Sequence, residues 1–185
     1  MASRLLLSLV LLVGGPAWAA AVAGIQLDDT ARVAGSELKL AGAGLRKRVF
    51  FNVYVIGLYV QDPKADAVTQ PGPKRVALHM LRDVGAETFT EALTDGIRAN
   101  HNEAQVQAFE PRVKQLAATI AQIKEAKKGM TIALEWNGAT TQVLVDGKPA
   151  GSPIGGADFY AALLRIWLGH KPVQEDLKKA LLGAA

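Results

Sequence analysis

The chain contains no cysteine among its 185 residues. This absence excludes disulfide bonds, thiol catalysis and the usual cysteine-based zinc clusters, so packing must stabilise the fold. Aromatic residues are also scarce, at 6% of the chain, and they are not interleaved with basic residues. Because single-stranded nucleic acid is bound by stacking its bases on aromatic rings in a basic groove, we expect no nucleic-acid partner, although the formal net charge is +4.

Familiar catalytic motifs are missing as well. The three histidines, His79, His101 and His170, show neither HExxH nor HxH spacing, so we expect no metal site. No serine lies in a GxSxG motif, and the glycine-rich "GSPIGGAD" (151–158) lacks the Lys-Ser/Thr ending of a phosphate-binding loop. We therefore expect no cofactor, and we interpret this segment as a turn that caps a helix through Asp158.

The N-terminal segment "MASRLLLSLVLLVGGPAWAAA" is typical of a secretory signal peptide. One arginine precedes an apolar run, which is followed by Gly14-Gly15-Pro16 and the small-x-small site at 17–19. The run is shorter than the ~20 apolar residues of a membrane-spanning helix. We expect cleavage after Ala19, which removes residues 1–19 and leaves a single periplasmic or secreted domain over 20–185 with no stable membrane insertion. An uncleaved N-terminal anchor is the alternative.

The hydrophobic periodicity of the remaining chain predicts an α+β fold. Apolar residues recur every three or four positions over 86–101 and 106–123, which predicts helices there. Two further helices are predicted over 158–169 and 173–183, each ended by a glycine. A β-branched run predicts a strand over 75–81, and tight turns at Asn137-Gly138 and Asp146-Gly147 predict a meander over 129–151. Hairpins in place of βαβ alternation indicate an antiparallel-rich sheet covered by a layer of helices.

One predicted strand carries an unusual set of polar residues. In "GLRKRVFFNVYVIGLYV" (44–60) both faces are apolar by alternation, yet Arg46, Arg48, Asn52 and Tyr54 share one face if the strand extends that far back. A buried arginine is costly unless it is paired, so this face is expected to line an apolar pocket whose polar end holds an anion. Alternatively, the strand emerges into solvent near residue 48 and the arginines are surface charges.

Four segments in order resemble the bacterial exported members of the chalcone isomerase-like family. They are "GAGLRKRVFFNVYVIGLYV", "LRDVGAETFTEALTDGIRANH", "VDGKPAG" and "DFYAALLRIWLGHKPVQEDLKKALLG", and the resemblance covers roughly residues 27–183. It implies the open-faced β-sandwich of chalcone isomerases, in which a large sheet is covered by helices.

The resemblance also implies roles for individual positions. The arginine that stabilises an enolate in the plant enzymes corresponds to Arg46, and a strand threonine corresponds to Tyr54. The helix tyrosine and asparagine of those enzymes correspond to Phe89 and Gly96, which supply neither a hydroxyl nor an amide. Only the arginine is unchanged. Non-catalytic relatives of the same fold bind fatty acids through an arginine and a neighbouring tyrosine, which Arg46 and Tyr54 match better.

The resulting expectation is a small apolar or amphiphilic ligand, such as a fatty acid. Arg46 is expected to hold its anionic group and Tyr54 to donate a hydrogen bond, with Asn52, Arg48 and Phe89 as further ligand-binding residues. The first alternative is an intramolecular lyase, or isomerase, that acts on a chalcone-like enone with Arg46 and Tyr54 as catalytic residues. The second is a non-catalytic envelope protein that binds a protein partner. No oligomeric state is predicted.

Overall fold

The computed structural model describes residues 18–183, so most of the predicted signal peptide lies outside the described residues. This part of the chain forms eleven strands and four helices. The strands are β1 Trp18–Val22, β2 Ile25–Asp28, β3 Thr30–Val33, β4 Ser36–Arg48, β5 Phe51–Val60, β6 Lys74–Met80, β7 Val84–Gly85, β8 Glu125–Ala126, β9 Thr131–Trp136, β10 Thr140–Val145 and β11 Lys148–Gly155. The helices are α1 Ala86–Ala99, α2 Glu103–Ile123, α3 Ala157–Leu168 and α4 Glu175–Leu181.

Seven strands form one sheet in the order β11-β10-β9-β6-β5-β4-β3, and every neighbouring pair is antiparallel. Two smaller ladders join β1 to β2 and β7 to β8. The edge strand β11 contains Pro149 and Pro153, and an edge is where proline costs a sheet least because no neighbour needs its missing N–H. The predicted α+β architecture, an antiparallel sheet with a helical layer, is confirmed.

The single strand expected over residues 44–60 is wrong. The segment belongs to two antiparallel strands, because β4 ends at Arg48, the chain turns at Val49 and Phe50, and β5 begins at Phe51. The turn contains no glycine, asparagine or proline, so its sequence lacks the residues that usually mark a turn. In one continuous strand, Arg46 and Tyr54 would lie about 26 Å apart at ~3.3 Å per residue. In the hairpin they are direct cross-strand partners.

The two faces of the sheet are buried to different extents. Ile56, Leu58 and Val60 of β5 lie in the main core, between the sheet and the helices. Tyr59, on the opposite face, belongs to a smaller cluster with Leu38. Because one face is packed under all four helices and the other mainly under short strands, the sandwich is open on one side.

Capping explains where α2 begins. The side chain of Asn102 accepts a hydrogen bond from the Gln105 backbone N–H at 2.9 Å, and the Gln105 side chain accepts one from the Asn102 N–H at 3.1 Å. This reciprocal pair satisfies two free N–H groups of the first turn. The turn expected at 151–158 is wrong, because β11 runs to Gly155 and Asp158 forms an ion pair with Arg112 instead of capping α3.

Glycine allows α4 to lie directly on β4. A β-carbon at Gly42 would lie 2.2 Å from the Ala180 carbonyl oxygen, and one at Gly44 would lie 2.6 Å from Leu177 Cδ1. Both distances are far below van der Waals contact, so any larger side chain would push the helix away. None of the helices in residues 18–183 is long and apolar enough to cross a membrane.

The first prediction concerns this contact. Gly42→Ala is expected to lower the free energy of unfolding by about 1–3 kcal/mol, because the added methyl group overlaps backbone that cannot rotate away. Gly155→Ala is the matched control, since a β-carbon there meets nothing within 4 Å, and its effect is expected to stay within about 0.5 kcal/mol. Urea unfolding followed by circular dichroism measures both. Equal stability of the two variants would contradict the close approach of α4.

Candidate functional site

A cleft of about 830 Å³ opens between one end of the sheet and helices α1 and α3. Its floor is apolar and buried, and it is formed by side chains from β6, α1 and α3, namely Leu78, Phe89, Leu93, Ile166 and Trp167. Its rim is charged and includes four basic residues and three acidic ones, namely Arg46, Arg48, Arg82, Lys171, Asp83, Glu91 and Asp95. The volume lies within the ~300–1,000 Å³ range of small-molecule sites, so the cleft can hold a ligand of that size.

The register of β4 and β5 brings Arg46 beside Tyr54. The two residues are opposite each other in the ladder, so their side chains lie on the same face of the sheet. Both line the cleft. A β-bulge follows immediately, between Arg46 and Lys47, and it interrupts the pairing where the strand approaches its turn.

The side chain of Gln174, just before α4, holds this bulge. Its Oε1 accepts hydrogen bonds from the Lys47 backbone N–H at 2.9 Å and from Arg46 Nη1 at 3.3 Å. Its Nε2 donates to the Leu45 carbonyl oxygen at 3.2 Å. Arg46 Nη1 also donates to the Lys47 carbonyl oxygen. One amide therefore satisfies the bulged backbone and orients the guanidinium.

Tyr54 is held from the opposite side by Trp167. The indole Nε1–H donates to the Tyr54 hydroxyl oxygen at 2.9 Å. Burial raises the pKa of Tyr54 above its usual 10.0, although the hydrogen bond from Trp167 and the charge of Arg46 act to lower it. The phenol is therefore protonated at neutral pH. Its oxygen accepts from Trp167, which leaves its own proton available for donation to a ligand.

Only some of the remaining predicted site residues line the cleft. Arg48 lies on the exposed rim of the cleft and Phe89 on its buried floor. Asn52 is exposed next to the β4–β5 turn, paired with Lys47, and does not line the cleft. Gly96 lines it, but a β-carbon there would lie 2.7 Å from Ile166 Cγ2, so the close contact of α1 with α3 excludes a larger residue.

Four residues of this site were not among those predicted from the sequence. Trp167 and Gln174 are brought to the hairpin by long-range packing, and the only hint in the sequence is that a buried indole N–H requires an acceptor. Arg82 and Lys171 also line the cleft. Arg82 lies two residues after the end of β6, so correct pairing of β5 with β6 would have placed it at the same end of the sheet.

The arginines of the cleft have no carboxylate partner. Within residues 18–183, none of Arg46, Arg48 and Arg82 forms an ion pair. Arg82 instead lies over the Phe51 ring, with 4.5 Å between the guanidinium carbon and the ring centroid. Four basic residues of the lining outnumber its three acidic ones, and the guanidinium groups have no ion-pair partner among the residues that the structure describes, so the polar end of the cleft favours an anionic ligand group.

The histidines do not converge on the cleft. His79 Nδ1 lies 3.2 Å from Thr131 Oγ1, and burial lowers its pKa below the usual 6.5. His101 Nδ1 lies 2.8 Å from the Ile97 carbonyl oxygen, and His170 is exposed. The part of the chain that the structure describes contains no group of three or more histidines, cysteines or carboxylates that could hold a metal ion.

Comparison with known proteins gives a family and a fold. A family model described as "Chalcone isomerase-like" matches residues 19–183. A solved structure of a fatty-acid binding protein from Arabidopsis thaliana is similar, with a TM-score of 0.67 and 13% sequence identity over 86% of this chain and 92% of that one. At this identity the similarity shows the fold alone. No curated protein matches the chain significantly.

The second prediction concerns the tyrosines. The chain has three, and burial raises the pKa of Tyr54, of Tyr59 (to about 12) and of Tyr160. The folded protein should show no tyrosinate absorbance as the pH passes 10.0, whereas the urea-unfolded chain should titrate there. Since the unfolded state then loses protons that the folded state keeps, stability should be full below pH 10 and fall between pH 10 and about 12.

Ultraviolet difference spectroscopy, combined with near-ultraviolet circular dichroism, tests this prediction. A phenol that titrates near pH 10.0 in folded protein would contradict it. Tyr54→Phe would then show whether the titrating group lies in the cleft.

Proposed function

The chain belongs to the chalcone isomerase-like family, and we propose that it binds a fatty acid or a similar amphiphilic anion in the cleft. Arg46 binds the carboxylate and Tyr54 donates a hydrogen bond to it. The observation that carries this proposal is the adjacent placement of these two donors at the charged end of a cleft with an apolar floor. We also propose that the protein is exported, with cleavage near Ala19.

The polar end of the cleft suits a carboxylate. Arg46 has no carboxylate partner in the described part of the chain, and the Tyr54 hydroxyl has a proton to donate. Charge-assisted hydrogen bonds to a carboxylate are about twice as strong as neutral ones. The hydrogen bond that Arg46 donates to Gln174 and the one that Tyr54 accepts from Trp167 hold both groups in place before a ligand arrives, so little ordering is required on binding.

The apolar floor suits an acyl chain. Phe89, Ile166 and Trp167 are each at least nine-tenths buried and present hydrocarbon or ring surface to the cleft. Each methylene group that moves from water onto such a surface contributes about 0.8 kcal/mol. The Arabidopsis protein with the same fold is described as a fatty-acid binding protein, which supports the same ligand class here.

An isomerase acting on a chalcone-like enone fits the cleft less well. Phe89 offers no hydroxyl, and Gly96 has no side chain and no space for one beside Ile166. Arg46 and Tyr54 would remain as the only donors that the resemblance assigns to catalysis. Faster loss of chalcone absorbance with wild type than with Arg46→Ala, above the spontaneous rate, would favour the isomerase.

The third prediction tests the anion anchor. Arg46→Ala is expected to weaken fatty-acid binding about 10- to 100-fold, the loss typical of a hydrogen bond to a charged group. Titration with palmitate, followed by tryptophan fluorescence, measures the affinity, since Trp167 lies in the floor of the cleft and Trp136 does not line it. Arg32→Ala is the matched control, because Arg32 is an exposed arginine of β3 that does not line this cleft.

Native mass spectrometry of protein expressed with its own N-terminus provides a second readout. Wild type and Arg32→Ala should retain a copurifying fatty acid, and Arg46→Ala should lose it. The intact mass shows whether the chain begins after Ala19. If Arg46→Ala retains the ligand while Arg32→Ala loses it, the carboxylate is bound elsewhere.

The fourth prediction tests the position of the acyl chain. Ala92 of α1 is exposed and lines the cleft, so Ala92→Trp should fill part of its volume and weaken palmitate binding by at least about tenfold without loss of stability. Ala104→Trp, on an exposed position of α2 outside the cleft, should bind as wild type does. Equal affinities for both variants would place the acyl chain outside this cleft.

A further inference from the structure

The turn between β4 and β5 exposes three consecutive apolar side chains. Val49 is 80% exposed, Phe50 93% and Phe51 58%. Within residues 20–183, Leu182 is the only other large apolar side chain with comparable exposure, at 49%. An aromatic ring that stays in water contributes none of the stabilisation that burial would give. The stability of the folded chain therefore does not explain why the turn contains apolar residues.

The backbone of the turn does not favour these residues either. Val49 has a φ of 55°, in the left-handed region that β-branched residues rarely adopt. Glycine or asparagine would adopt this conformation with less strain, and both are common in hairpin turns that are exposed to water. Neither local conformation nor internal packing therefore requires an apolar residue at Val49 or Phe50.

Basic side chains surround the turn. Arg46, Lys47 and Arg48 precede it on β4, and Arg82 lies over the Phe51 ring. Asp83 follows Arg82, and its Oδ1 accepts a hydrogen bond from the Lys128 backbone N–H at 2.7 Å, while Glu91 and Asp95 of α1 lie further along the rim of the cleft. The turn thus combines an apolar tip with an excess of positive charge around its base.

We propose that this tip, Val49–Phe51, docks on an anionic phospholipid surface. Apolar rings at the tip would enter the boundary between head groups and acyl chains, while the surrounding basic side chains bind lipid phosphates. A protein partner fits less well, because three protruding side chains form a small part of the ~800 Å² that each partner of a stable interface buries. A membrane accepts such a convex tip without a complementary groove.

Docking at the tip would also place the cleft against the lipid. Arg48, Phe51 and Arg82 belong both to the surroundings of the tip and to the rim of the cleft. An amphiphile could then pass between the bilayer and the cleft with little exposure to water. The proposal rests on the exposed tip and its charges, so it holds whichever ligand the cleft binds.

The fifth prediction is a vesicle cosedimentation experiment on the full chain. Wild type should bind vesicles of phosphatidylcholine and phosphatidylglycerol in equal parts and bind much less to phosphatidylcholine alone. Val49→Asn combined with Phe50→Ser should lower partitioning at least about tenfold, because the apolar anchor is lost. This variant should fold, since asparagine suits the backbone of the turn. Leu182→Ser is the control for exposed apolar surface and should bind as wild type does.

The charge contribution is tested separately. Lys47→Gln should lower partitioning to the anionic vesicles about fivefold, the effect of one basic residue near such a surface. Lys64→Gln removes an exposed lysine from the loop at the opposite end of the sheet, between β5 and β6, and should have no effect. Added salt should reduce the difference between Lys47→Gln and wild type.

Two results would overturn the proposal. These are no binding of wild type to anionic vesicles, and undiminished binding by the Val49→Asn/Phe50→Ser variant. In one form of the second result, the two substitutions also dissociate a dimer that wild type forms, which would identify a second copy of the chain as the occupant. Palmitate titration of the same variant without vesicles tests the cleft separately. If the variant still binds palmitate, a failure of vesicle docking leaves the proposed ligand binding intact.

Discussion

The antiparallel pairing of β4 with β5 is the constraint on which the candidate site depends. The ladder places Arg46 opposite Tyr54, and the bulge after Arg46 exposes backbone that the side chain of Gln174 satisfies. A one-residue change of register would turn one of the two donors to the opposite face of the sheet. The backbone hydrogen bonds between β4 and β5 therefore determine which side chains meet at the polar end of the cleft.

Glycines allow the helices to pack closely enough to reach the paired strands β4 and β5. Gly42 and Gly44 let α4 lie against β4, which brings Gln174 to the bulge. Gly96 similarly lets α1 approach Ile166 of α3, and the two helices then form one wall and part of the floor of the cleft. The absence of a side chain at Gly96 thus has a packing cause.

The sequence predicted the elements whose signals are local. Four helices and the turns at Asn137-Gly138 and Asp146-Gly147 follow from apolar periodicity and from residues that accept positive φ, as the structure has them. The β4–β5 turn was missed because Val49 adopts positive φ without any of the usual turn residues. Trp167 was missed because its hydrogen bond to Tyr54 joins positions far apart in the chain. Local patterns predict elements, whereas contacts between elements decide which side chains meet.

The two ends of the sheet differ in how many of their polar groups are paired and how many of their apolar side chains are buried. At one end, the loop between β5 and β6 is closed by its own hydrogen bonds, since the Gln70 side chain bonds the backbone of Asp62 in both directions. At the other end, Arg46 lacks a carboxylate partner in the described chain, the Tyr54 proton is available, and Val49 and Phe50 are exposed in a strained turn. Departures from local folding rules concentrate where a protein interacts with something else. Polar and apolar departures occur together at this end of the sheet, which is the combination that the proposed amphiphilic ligand and the proposed lipid surface require.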